Sequence, residues 1–182
     1  MAQVKQKGRF PFLIGKKLYL RILTKDDINQ RYLGWVNDPE VIRFMRHRAF
    51  PTNFRALEEF VASRRWPDDL TLAIIDKKSE KHIGNIGLTS IDWVNRKAEL
   101  GMMLGDKDFW RKGYMSEAFR LIQEHAFEKM NLHKLYAGTE RGNLAACALF
   151  KKMGWQAEGC LKRETFRDGR YVDMLRYAIF KE

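Results

Sequence analysis

Long apolar runs are missing from this 182-residue chain. The apolar stretch nearest its start, residues 10–14, is short and interrupted by Pro11, whereas a membrane-spanning helix needs about 20 apolar residues. No signal-type segment follows the charged start, so the chain reads as cytoplasmic with no membrane partner. Cysteine is scarce: Cys147 and Cys160 are the only two, which excludes a disulfide scaffold, and in the cytosol both are expected to be reduced. The four histidines are scattered with no HExxH-type pairing, so no metal site is expected. The phosphate-loop pattern GxxxxGK[ST] is absent, which disfavours nucleotide triphosphate hydrolysis, and the dinucleotide fingerprint GxGxxG is also missing. Acidic residues are outnumbered, 23 against 34 Lys and Arg, for a net charge of +11. That excess suits DNA, RNA, an acidic protein or a phosphate-rich cofactor, and charge alone does not choose among them.

With 45% hydrophobic and 31% charged residues the balance is globular, and the length suits one domain. Residues 1–15 carry Lys5, Lys7 and Arg9 without periodicity and read as a basic, poorly ordered leader before a domain over 16–182. Residues 18–22 alternate as a first strand. Thr24 with Asp27 three residues on forms a capping box, which predicts a helix through about Trp35. Asn37-Asp38-Pro39 stops it, since the residue before proline avoids helical angles. A second helix is expected from near Thr52 to before Pro67, with Leu57, Phe60 and Val61 on its buried stripe. Residues 71–75, 82–91 and 97–104 read as strands of an antiparallel meander. Helices follow over 116–130 and 143–153, with Gly154 in the C′ position, and a strand over 134–139 lies between them. Residues 160–166 and 171–180 flank Asp168-Gly169, a hairpin signal. The order β α α β β β α β α β β predicts one α+β domain: a mostly antiparallel, twisted sheet of about seven strands flanked by helices.

The informative stretch runs from Glu99 to Trp155. A strand ending Met102-Met103-Leu104 leads to the loop Trp110-Arg111-Lys112-Gly113-Tyr114-Met115, which opens onto a helix near Ser116. Strand, basic glycine loop and helix N-terminus form an anion site, because free amides and the helix dipole point at one spot. A pyrophosphate fits that description.

This loop resembles motif A of the GNAT N-acetyltransferase superfamily, Gln/Arg-x-x-Gly-x-Gly/Ala. Gly113 agrees, while Trp110 and Met115 depart from the pattern. The string WRKGYMSEA is also similar to a form common in the RimJ/RimL-like branch. A second segment, Asn143-Leu144-Ala145-Ala146 followed by Leu149-Phe150-Lys151-Lys152-Met153-Gly154-Trp155, resembles the family's N-x-x-(S/A)-x-x-L-Y-x-K-x-G-F. The resemblance covers residues 16–180. It implies acetyl-CoA as co-substrate, its pyrophosphate on the backbone of residues 110–116 and its pantetheine arm near Asn143 and Phe150. It also implies a thioester oxygen facing a backbone N–H of Met102, Met103 or Leu104. The family's tyrosine, which protonates the departing thiolate, is replaced here by Phe150; either water, Tyr114, Ser116 or Cys147 serves instead, or the thiolate leaves unprotonated.

Acyl transfer to an amine needs a base, because an alkylammonium has a pKa near ~10.4. Strand alternation puts Ala98, Leu100, Met102 and Leu104 on one face and Glu99, Gly101 and Met103 on the other. Glu99 is the candidate base, with partial burial expected to raise its pKa. On the acceptor side, Trp35-Val36-Asn37-Asp38-Pro39-Glu40-Val41 resembles a string of amino-sugar and RimJ/RimL-like acetyltransferases, which makes Trp35, Asp38 and Glu40 candidates for meeting a cationic amine. Asn37-Asp38-Pro39 also serves as a plain helix stop. Amino sugar, protein N-terminus, polyamine and aminoglycoside all stay open as acceptor, with the basic charge against a polyamine. Two rivals are an acyl-CoA binder without turnover and a nucleic-acid module built on the GxxG of Gly84 to Gly87, which falls in strand-like sequence. Stable nucleic-acid binding is therefore disfavoured. An exposed edge strand leaves a homodimer open.

Overall fold

A computed structural model describes residues 10–64 and 66–182. Among the described residues the strands are β1 (Leu13–Ile14), β2 (Leu18–Ile22), β3 (Leu70–Asp76), β4 (His82–Asp92), β5 (Lys97–Leu104), β6 (Lys134–Glu140), β7 (Gln156–Arg167) and β8 (Arg170–Phe180). The α-helices are α1 (Gln30–Asn37), α2 (Phe54–Ser63), α3 (Tyr114–Glu128) and α4 (Leu144–Lys152). One eight-stranded sheet runs β1-β2-β3-β4-β5-β6-β8-β7, antiparallel throughout except at β5–β6. The predicted architecture holds with one strand added. Residues 1–9 of the leader lie outside the described residues, but Leu13 and Ile14 pair with Leu20 and Tyr19, so the domain begins before residue 16.

Each face of the sheet has its own core. Leu72 and Ile74 of β3 join Leu18, Leu20, Ile86, Leu100, Phe119 and Ile122 under α3 and α4. The alternate residues Ala73 and Ile75 join Tyr32, Trp35, Val36 and Leu57 under α1 and α2. A strand covered on both sides has no solvent face to mark with polar residues, which is why β3 reads as a near-continuous apolar run.

The first helix differs from expectation. Thr24 N–H does donate to Asp27 Oδ2 at 2.9 Å, but the turn it starts is a short 3-10 turn, Lys25–Asp27, that breaks at extended Ile28. Asp27 is engaged by Arg21 at 2.8 and 2.5 Å. A fresh cap, Asn29 Oδ1 accepting from Tyr32 N–H at 3.1 Å, then opens α1. The second helix begins at Phe54 behind Asn53, whose Oδ1 accepts from Ala56 N–H at 2.9 Å. The Asp-Gly hairpin is as expected: Asp168 (φ 48°) and Gly169 (φ 81°) form a turn with both central residues left-handed, as a two-residue connection requires. Gly84 and Gly87 lie inside β4, where an added Cβ would sit 2.3 Å from Met103 O and 2.6 Å from Leu70 O. Those glycines permit close strand approach, and the GxxG is no nucleic-acid loop.

The feature that positions the site is the β5–β6 pair. Parallel pairing covers only Lys97↔Lys134, Ala98↔Leu135 and Glu99↔Tyr136. Beyond that point β5 stays on β4 as far as Leu104, while β6 stays on β8 as far as Glu140. The two strands part into a wedge, and among the described residues the β6-facing edge of β5 past Glu99 has no strand partner. Parallel neighbours need a long crossover, and α3 supplies it.

Candidate active site

After β5 the chain makes a short 3-10 turn, Lys107–Phe109, capped by Asp106, whose Oδ1 accepts from Asp108 N–H at 3.1 Å. Trp110 folds back so that its indole N–H donates to Leu104 O at 2.7 Å. Arg111 (φ 59°) and Gly113 (φ 84°) are both left-handed. Two such residues around Lys112 turn successive amides toward a common concavity. Gly113 is the N-cap of α3 with no side-chain cap, and the first helical bond is Glu117 N–H to Gly113 O at 3.1 Å. The amides of Tyr114, Met115 and Ser116 thus face outward, two residues earlier than the sequence suggested.

The loop is braced from behind. Lys17 Nζ donates to Lys112 O at 2.9 Å, and Lys17 N–H donates to Glu117 Oε1 at 2.8 Å. Tyr114 OH donates to Asp76 Oδ1 at 2.7 Å; that bond, then burial and the Asp76 charge, push the phenol up to about 12. Tyr114 is therefore a poor substitute for the missing proton donor. Lys16, Lys17, Lys77, Lys78 and Lys112 line a bay beside it, so the anion site has a basic wall.

The three residues expected at the acceptor have defined partners of their own. Trp35 is 6% exposed and underlies Gly105, where an added Cβ would sit 2.2 Å from the indole. Asp38 and Glu40 both hold Lys107, each at 2.7 Å, which keeps the Asp38 carboxyl below its ordinary range through the Lys107 hydrogen bond first. The segment 35–40 thus supports the turn that leads into the anion loop.

The cavity beside the wedge lies between α1–α2 and the β3–β5 face, with a volume of about 410 Å³. Val36, Met45, Leu57, Phe60, Met102 and Met103 give it apolar walls. Its polar lining includes Tyr32 and Asn85. Asn85 Nδ2 donates to Tyr32 OH at 2.8 Å, and Asn85 Oδ1 meets His82 Nε2 at 2.8 Å. Because His82 Nε2 also meets Gly84 O at 2.9 Å, two acceptors assign the ring proton to Nε2. Burial lowers the His82 pKa and pushes Tyr32 up to about 12, so this network is neutral. Nothing in its spacing marked it in advance.

Glu99 stands at the wedge's apex, opposite Thr89 on one side and Tyr136 on the other, and shares a strand face with the cavity residues Gly101 and Met103. The partial burial anticipated for it is found. Its side chain is 38% exposed with Arg176 Nη1 at 3.4 Å. Arg176 was not anticipated; it comes from β8, 77 residues away. Glu140, further along β6, is 4% exposed and held by Arg167, with Arg48 at 3.5 Å. Arg48 also donates to Met45 O at 2.9 Å and Phe166 O at 2.6 Å, pinning the segment that carries Met45 over the cavity.

Residues 17–156 match the family model described as acetyltransferase (GNAT) domain. The chain belongs to that family. It is an acetyl-CoA-dependent acetyltransferase by that membership. Similar proteins include an uncharacterized N-acetyltransferase, p20, of Bacillus licheniformis, 29% identical over 93% of this chain and 96% of that one. The crystal structure of spermidine N-acetyltransferase from Vibrio cholerae, in complex with CoA and spermine, superposes with a TM-score of 0.81 at 25% identity, over 90% of this chain and 95% of that one. RimL, a ribosomal L7/L12 alpha-N-protein acetyltransferase in complex with coenzyme A, gives 0.82 at 19% identity, over 91% and 95%. The last shows a shared fold, and the GNAT family, rather than its RimJ/RimL-like branch, is the level established.

Two residues carried over from the GNAT motif fall differently. Asn143 caps α4, its Oδ1 accepting from Ala146 N–H at 3.3 Å, while Nδ2 donates to Thr139 Oγ1 at 3.0 Å. It thereby ties α4 to β6 beside the wedge. Phe150 is 2% exposed, stacked on Tyr177 with centroids 5.0 Å apart and 23° between planes. It is core. Tyr177, the β8 ring stacked on it, carries a hydroxyl whose pKa is pushed up by burial and by a hydrogen bond with Cys147.

Proposed function

We propose that this protein transfers an acetyl group from acetyl-CoA to a primary amine by direct attack, with both reactants bound at once. The observation that carries the reading is the left-handed pair Arg111 and Gly113 opening α3 beside the parted β5 and β6. Acetyl-CoA brings an activated acetyl thioester. The outward amides of residues 113–116 bind its diphosphate, with the lysine bay beside them. The free edge of β5, from Gly101 to Leu104, offers N–H groups to the carbonyl oxygen as charge develops there. Glu99, open to water at the apex, takes the ammonium proton directly or through a water. Holding both reactants along one wedge supplies much of the remaining rate. Similarity to the spermidine N-acetyltransferase of Vibrio cholerae supports an amine acceptor.

The test is release of free thiol from acetyl-CoA with a panel of primary amines. Turnover that depends on amine supports transfer; acetyl-CoA binding without amine-dependent turnover supports a second reading. That reading, an acyl-CoA binder without turnover, has one observation in its favour: the buried phenyl ring of Phe150 where the motif has a hydroxyl.

Gly113→Ala is expected to weaken acetyl-CoA binding about tenfold, because a left-handed Cβ costs about 1–2 kcal/mol and about 1.4 kcal/mol is a factor of ten. Space is not the obstacle, since the nearest atom to the new Cβ is 3.7 Å away. Gly113→Asn, which tolerates that conformation better, should bind more tightly than the alanine variant in calorimetry. Equal binding by wild type and both variants would remove the loop from the site.

A further inference from the structure

We infer that the acceptor is a primary amine on an apolar, otherwise uncharged body, and not a polyamine; this rests on the acetyl-transfer reading above. A polyamine brings two or more ammonium groups, and the one not reacting needs a carboxylate or several carbonyls. Among the described residues lining the cavity there is no Asp or Glu, and the charged member is Arg64. Its guanidinium lies over the Phe60 ring at 4.6 Å, with Nη1 3.3 Å from Asp69 and a buried Nε that has no partner. A second ammonium in the cavity would meet that like charge across an apolar wall.

Several carboxylates on neighbouring elements already hold basic partners, Asp69 with Arg64 among them. Asp38 and Glu40 share Lys107. Glu140 is enclosed by Arg167 and Arg48. Asp27 is paired with Arg21. Glu99, with Arg176, is at the wedge, where the reacting nitrogen belongs. Releasing Asp38 and Glu40 to a polyamine would strip Lys107 of both partners and unbrace the turn before the anion loop. The remaining polar lining is uncharged: Thr52, Thr71, Thr89, and Tyr32 with Asn85, which His82 backs from outside the lining. A cavity of about 410 Å³ with Leu57, Phe60, Met45 and Met103 on its walls suits an alkyl or aryl body.

The experiment measures kcat/KM for 2-phenylethylamine, n-hexylamine and spermidine at saturating acetyl-CoA, with acetyl-CoA binding measured separately by calorimetry. At least one of the two apolar amines is expected to exceed spermidine by tenfold or more. Arg64→Glu should then narrow that ratio by tenfold or more, and the ratio is insensitive to a partly unfolded preparation because both rates fall together. Spermidine equal to or better than both apolar amines overturns the inference while leaving acetyl transfer standing. Acetyl-CoA binding with turnover of none of the three overturns it too. Absence of acetyl-CoA binding sinks the reading underneath and the inference with it.

Discussion

Glu99→Gln is expected to lower kcat for amine acetylation about 100-fold near neutral pH, within the range a general base contributes. The carboxylate is at the last paired position of β5 and β6, 38% exposed and beside Arg176. Glutamine keeps its shape and can still accept a hydrogen bond from Arg176, so the loss isolates proton removal from packing. The sign of the pH dependence follows from the acceptor. At pH 7 an alkylammonium with a pKa near ~10.4 is almost wholly protonated, so the wild type gains most from its base there. As pH rises toward that value free amine forms unaided, and the gap between wild type and variant should close. Thiol-release rates across pH 6.5–10 for both proteins, as about the range in which the amine changes state, measure this. A gap of constant size would leave Glu99 as an electrostatic or structural group, and no gap would remove it from the reaction.

The largest effect on stability is expected at a pair far from the chemistry. Arg21 and Asp27 have side chains 3% and 1% exposed, with Nη2 and Oδ1 2.5 Å apart. Removing one partner strands a buried charge, so Asp27→Asn should destabilise the fold by about 3–5 kcal/mol. Burial pushes the Asp27 carboxyl up, but hydrogen bonds from Arg21 and Thr24 and the Arg21 charge more than offset it and hold the group below its ordinary value. The sign of that shift means the stabilisation is present above the unfolded value, about 3.9, and is lost as pH falls through the folded one. His82, also depressed, adds a loss that begins higher, as pH falls below about 6.5, where the unfolded ring takes a proton that the buried ring refuses. Denaturant unfolding of wild type and variant from neutral to acid pH separates the two. The variant should keep the upper loss and lack the lower one. Equal stability at neutral pH would show that the pair contributes nothing net.

The same contact explains why the first helix is misplaced when only local sequence is considered. A capping box at Thr24 and Asp27 is a local signal for a helix start, and the hydrogen bond it promises does form. Arg21 on β2 competes for the carboxylate, and Asn29 offers a second cap. Residues six apart in sequence on two different elements decide the outcome. Trp35, Asp38 and Glu40 show the same effect at longer range. An acidic segment after a helix suits a cationic ligand until Lys107, 67 residues from Glu40, takes both carboxylates.

What the sequence determined by itself is whatever depends on neighbours along the chain. Strand alternation, the left-handed turn at Asp168-Gly169, the cap at Asn143 and the glycine at the mouth of α3 are local requirements of backbone geometry, so a window of a few residues holds them. So does the choice of α+β order, because each element's buried face has its own period. What only the tertiary structure decided is which charges meet and where strands separate. The wedge exists because β5 is held by β4 and β6 by β8 after their three shared pairs, and neither strand's residues record that the other has left. Arg176 at Glu99, Lys107 at Asp38 and Glu40, and Arg167 at Glu140 are pairings of long, flexible side chains across the fold. Coulomb attraction has no sequence period, so these partners become visible only when the sheet has brought them together.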